Sequence, residues 1–120
     1  MAQESAQGQV QTVVIQKPYR NTGMGGFDRT WVFTHSGDVV KPISTRSRSG
    51  NHGWDTWHLE PGRYIIVSAS RPNLKNGARP FRVVIQCVEI KNGVLNVAKE
   101  TSLSVMSLDD VKEWARGICP

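Results

Sequence analysis

Apolar residues in this chain fall mostly at every second position, in short runs broken by glycine, proline and asparagine, and that period predicts strands. Val10 to Gln16 (VQTVVIQ) is β-branched and is expected to stop before Pro18. Asn21 to Gly26 (NTGMGG) reads as a turn and Arg29 to His35 (RTWVFTH) as the returning strand, so the pair predicts an N-terminal β-hairpin. Val39 to Ser44 reads as a short third strand. Thr45 to Gly53 (TRSRSGNHG) has no period and reads as loop. Trp54 to Leu59 (WDTWHL) is too short to assign, and a Pro61-Gly62 turn follows.

The clearest pattern is Arg63 to Ser70 (RYIIVSAS), ended by Arg71-Pro72-Asn73. After a polar loop to Pro80, Phe81 to Ile90 (FRVVIQCVEI) is the next strand. Asn92-Gly93 is a hairpin turn signal, because both positions tolerate positive φ. Val94 to Met106 returns as a long strand. One helix closes the chain: Ser107 is the expected N-cap, Asp109 and Asp110 would sit in the first turn, and Val111, Trp114 and Ala115 share a face. Gly117 and Pro120 would end it. The expected fold is α+β but mainly β: six or seven antiparallel strands and a short C-terminal helix.

Composition narrows the function. The 120 residues fit one domain, residues 1–120. No apolar run approaches the roughly 18 residues that cross a membrane, and the polar N-terminus predicts no secretory signal. The charge is +5, with 15 Lys+Arg against 10 Asp+Glu. It is uneven: residues 1–82 carry 11 basic and 5 acidic side chains, a net of +6, and residues 83–120 carry 4 and 5, a net of −1. A basic first two-thirds suits an anionic partner. A chain this short buries only about two-thirds of its unfolded surface. A long sheet in it calls for a cover, which a second subunit could supply.

Little points to catalysis. His52 and His58 with Asp55 could be read as zinc ligands, but their spacing matches no metal motif and no Cys-x-x-Cys is present. Cys87 alternates with Ile85 and reads as a small buried hydrophobe; Cys119 reads as an idle thiol near the terminus. There is no Gly-x-Ser-x-Gly elbow, and Gly23 to Gly26 lacks the Lys-Ser/Thr of a phosphate loop. The expectation is a protein that is not an enzyme and holds no cofactor or metal. Trp31, Trp54, Trp57 and Tyr64 read either as core or as a stacking platform. Arg46 and Arg48 lie in a Ser/Arg segment. Arg63, Arg71, Lys75, Arg79 and Arg82 surround the strand pair 63–70 and 81–90. Guanidinium and ammonium groups pair with phosphates, and Ser and Gln bond bases or 2′-hydroxyls, so a sheet face mixing them suits unpaired RNA.

Residues 59–90 (LEPGRYIIVSASRPNLKNGARPFRVVIQCVEI) resemble the coat proteins of small single-stranded RNA bacteriophages. Val67-Ser68-Ala69-Ser70-Arg71-Pro72 matches the end of one family strand, and Val83-Val84-Ile85-Gln86 the next. The order of elements agrees over nearly the whole chain. The resemblance implies an N-terminal hairpin over one face of a five-stranded antiparallel sheet, and C-terminal helices packed on a partner's sheet in an intertwined homodimer. It implies dimers closing into an icosahedral shell that packages single-stranded RNA, with translational repression through an RNA hairpin. It places the protein in a virion, assembled in the bacterial host cytoplasm. The RNA face would present Tyr64, Ile66, Ser68 and Ser70 on one strand and Arg82, Val84, Gln86 and Val88 on the next, with Arg71 and Lys75 beside them. Ile65, Val67, Ala69, Val83, Ile85 and Cys87 would point inward. Val111 and Trp114 would anchor the dimer. The chain departs from the family in its short Lys91-Asn92-Gly93 connection and single C-terminal helix. The alternative from the residues alone is a small basic β-rich module that binds a nucleotide, oligonucleotide or glycan, stacking it on Trp54 and Trp57.

Overall fold

The computed structural model describes residues 11–49, 51–74, 77 and 79–119. Among these are eight strands, β1 (Val13–Asn21), β2 (Phe27–Thr34), β3 (Val39–Val40), β4 (Ser44–Ser49), β5 (His52–Leu59), β6 (Gly62–Arg71), β7 (Phe81–Lys91) and β8 (Val94–Val105), and one helix, α1 (Val111–Ile118). All pairings are antiparallel. The strands run β4-β5-β1-β2-β6-β7-β8 across the sheet, with β3 paired to β2. The protein is thus mainly β with a short C-terminal helix, and its sheet is wider than the five strands the resemblance implies.

The N-terminal hairpin is real but brief. β1 and β2 pair only at Arg20 with Asp28 and Asn21 with Phe27. From there β1 leaves β2 and pairs with β5 along eight residues, from Val13 opposite Leu59 to Arg20 opposite His52. Pro18 does not stop the strand. It lies where β1 has a partner on only one side, and a proline is tolerated where its missing N–H has no ladder to join. The segment expected to be loop at 45–53 is instead β4, a turn and the start of β5. Its Ser/Thr/Arg composition shows no period because an outer strand exposed on both faces has no apolar side to mark.

Two cores lie on opposite faces of β2, β6 and β7. On one face Phe33, Ile65, Val67, Ala69, Val83 and Ile85 are buried beneath Val111 and Ala115 of α1. The alternation read for 63–70 and 81–90 is confirmed there. On the other face Val32, Ile66, Val88 and Ile90 are buried beneath Ile15 of β1 and Trp57 and Leu59 of β5. Trp57 also donates its indole N–H to the Val40 carbonyl at 3.0 Å. At the far end, Asn92 (φ 53°) and Gly93 (φ 72°) form the two-residue turn that joins β7 to β8, as the dipeptide predicts.

The C-terminal segment corrects several expectations. Val111 and Trp114 pack on their own chain's sheet, where the short connection after β8 folds the helix back over β6 and β7. Cys87 and Cys119 are neither a plain hydrophobe nor an idle thiol: they form a disulfide with their Cα atoms 5.7 Å apart, fastening the end of α1 to β7. Ser107 does not cap the helix. Its hydroxyl accepts from the Asp109 N–H at 3.2 Å, one turn early, and Asp110 occupies the cap position without a side-chain bond.

Candidate nucleic-acid interface

Cross-strand neighbours in an antiparallel sheet share a face and stand about 5 Å apart. On the face opposite α1, Asp28 of β2, ion-paired with Arg20 at 2.8 Å, stands beside Ser70 of β6, Ser70 beside Arg82 of β7, and Arg82 beside Ser104 of β8. The next row is Thr30, Ser68, Val84 and Ser102, and the next Val32, Ile66, Gln86 and Glu100. Beyond it Tyr64 stands beside Val88, and Gly62 beside Ile90.

β1 and β5 divide this face. They cover the Ile66, Val88 and Ile90 end, which explains why those positions are apolar where an RNA face would be polar: they belong to the second core. They leave the Ser68, Ser70 and Arg82 end uncovered. Four of the expected RNA-contact residues, Ser68, Ser70, Arg82 and Gln86, therefore come together on one open polar patch. Arg82 is exposed, and the other three are half-buried. Ser68 and Thr30 share a hydroxyl hydrogen bond at 3.1 Å, and Gln86 donates to a Glu100 carboxylate oxygen at 2.7 Å. Lys17 of β1 lines a hollow with Thr30, Ser68 and Ser70 at the border of the patch. Lys17 carried no signal of its own, since Pro18 reads as the end of its strand.

The remaining expected contacts lie elsewhere. Tyr64 sits at the rim of the second core and donates its hydroxyl to the Glu60 carbonyl at 2.8 Å. Burial, helped by the nearby Glu60 charge, raises its pKa above the usual tyrosine value of 10.0. Arg71 is on the α1 side of the sheet, opposite Phe27. Its guanidinium lies 4.0 Å over the Phe81 ring, and its Nε donates to the Gly25 carbonyl at 2.9 Å. These contacts lock the end of β6 to the turn between β1 and β2 and take Arg71 away from the patch. Lys75 lies outside the described residues.

The four-ring platform does not form. Trp57 is buried, Trp31 packs against the α1-side core with Arg29 at 5.1 Å over its ring, and Trp54 is on the outer side of β5. Nor does β5 bring the zinc trio together. His52 and His58 share one side of the strand, six residues or about 20 Å apart, and Asp55 is on the other. Among the described residues no three His, Cys, Asp or Glu side chains are close enough to hold a metal.

No family model matches the chain, and no curated protein matches it. Solved structures do match. ORF157 of Acidianus filamentous virus 1 superposes with a TM-score of 0.61 at 18% identity, over 91% of this chain and 77% of that one. A glutamate-to-alanine variant of ORF157 gives 0.64 at 19% identity, over 90% and 76%. An engineered protein gives 0.60 at 20% identity, over 86% of this chain and 65% of that one, so this chain spans just under two-thirds of that protein's length. None of these three is an RNA-phage coat protein. At such identities the likeness is one of fold.

Proposed function

We propose that the protein is a virus-encoded coat-type subunit that binds single-stranded RNA on the open half of the sheet face around Arg82. One observation carries this reading: the second core covers only half of the face opposite α1, and the uncovered half is polar, with Ser68, Ser70, Arg82 and Gln86 on neighbouring strands. Arg82 and Lys17 would hold phosphates, and the serines would bond sugar hydroxyls. The patch has no exposed aromatic ring and includes Val84, so it suits the backbone of a packaged strand better than the bases of one operator hairpin. A shared fold with a protein of a filamentous virus supports a viral origin.

The test is expression in bacteria, size-exclusion chromatography read at 260 and 280 nm, and electron microscopy of the leading peak. The expected result is particles rich in 260 nm absorbance. A small species that carries no nucleic acid and binds none added later would overturn the proposal.

A further inference from the structure

The outer layer of β4, β5 and β1 has a face of its own, turned away from the second core. Trp54 pairs with Arg46 on one side and Pro18 on the other, and Thr56 with Ser44 and Gln16. These residues form two rows across three strands. Trp57 and Leu59, of opposite parity on β5, point into the core. So does the strand's acidic residue depart from this face: Asp55 pairs with Lys17 and Thr45 on the other side, and its carboxylate accepts from the Thr45 hydroxyl at 2.6 Å. The outer face of these rows thus holds an indole, a guanidinium, an amide and hydroxyls, with no carboxylate.

They surround a space. Gln16, Arg46, Ser47 and Trp54 line an open hollow of 480 Å³. Gly53, next to Trp54, makes the arrangement possible. A Cβ there would overlap the Arg46 carbonyl and the Ser47 backbone, so only glycine lets β4 close on β5 at this level.

We infer that this hollow is a nucleotide-binding subsite, in which a base of a single-stranded nucleic acid stacks against Trp54 while an adjoining phosphate pairs with Arg46. Every base has a π-face, so stacking on an indole is tolerant of sequence, and a guanidinium presents paired donors to a phosphate. A neutral sugar could also lie on an indole, but it gains nothing from Arg46, and carboxylates, the usual partners of sugar hydroxyls, are missing from these rows. The subsite shares only its ligand class with the Arg82 patch. β1 touches both, with Lys17 bordering the patch and Pro18 standing beside Trp54.

The experiment is fluorescence anisotropy of a labelled oligouridylate of about 12 nucleotides, within the span one such site can cover. The full chain is compared with Trp54→Ala, Trp54→Phe, Arg46→Ala and Arg82→Ala, each checked for an unchanged circular dichroism spectrum. Trp54→Ala is expected to bind about ten- to a hundredfold more weakly, with Trp54→Phe close to the parent. Arg46→Ala is expected to lower the slope of log affinity against log salt by about 0.7, one phosphate contact. Photocrosslinking with 5-iodouridine should label the peptide containing Trp54. Unchanged affinity in Trp54→Ala and Arg46→Ala, with binding lost only in Arg82→Ala, would overturn the subsite and leave the Arg82 reading standing. Failure of the parent to bind the oligonucleotide would overturn both. Binding of a neutral oligosaccharide in its place would overturn the nucleic-acid assignment.

Discussion

Arg71 ends β6 and Arg82 is the second residue of β7, and the two face opposite sides of the sheet. They should therefore behave oppositely when removed. Arg71→Ala loses the stack on Phe81 and the bond to Gly25, at a cost of about 1–3 kcal/mol in urea unfolding, and leaves the salt dependence of RNA binding unchanged. Arg82→Ala should leave unfolding within about 0.5 kcal/mol of the parent and flatten the salt slope by about 0.7. The difference was legible. The alternation that sends Ala69 inward also sends Arg71 to that side, and charge alone suggested otherwise. Tyr64 gives a second test. Its raised pKa means that the fold holds the neutral phenol more firmly than the unfolded chain does. That stabilisation is fully present below the unfolded value of about 10 and is lost as pH climbs through the higher folded value. Thermal melts of the parent should lose stability above about pH 10 more steeply than those of Tyr64→Phe. Parallel curves would contradict the assignment.

The elements with a buried side were the ones the sequence announced. β6 and β7 were announced by their apolar alternation, because the α1-side face of each is core along its length while the opposite face is core only near one end, and the β7–β8 turn was written in Asn92-Gly93. β4 had no buried side to reveal it. The division of the face opposite α1 was hidden for another reason: Ile66 and Val88 show that something covers them but not what, and β1 reaches them only by parting from its own hairpin. The helix was foreseen, but not its partner. Cys87 and Cys119, 32 residues apart, gave no spacing signal for a bond set by the path of β8 and α1. Closing a loop of that length restricts the unfolded chain by about 3–4 kcal/mol on the chain-entropy estimate. Cys119→Ser, or dithiothreitol on the parent, should lower the unfolding free energy by that order. Trp114→Ala should also destabilise, since the indole packs against its own sheet. Its oligomeric state by light scattering should match the parent's; loss of self-association would place Trp114 at a subunit contact as well.

Across the whole molecule, β2, β6 and β7 serve both cores, so neither can dissolve without stripping one face from the other. Unfolding should be a single transition, with tryptophan fluorescence and far-ultraviolet circular dichroism coinciding. Two separated transitions would show that the β1–β5 layer melts on its own.

The bond between Cys87 and Cys119 has one more consequence, a topological one. It makes the chain from the middle of β7 through all of β8 and α1 a covalent ring, with the β7–β8 turn at its outermost point. A protease that cuts one exposed bond inside that ring opens it but frees nothing. The nicked protein keeps its mass, plus one water, until a thiol is added and the piece comes away.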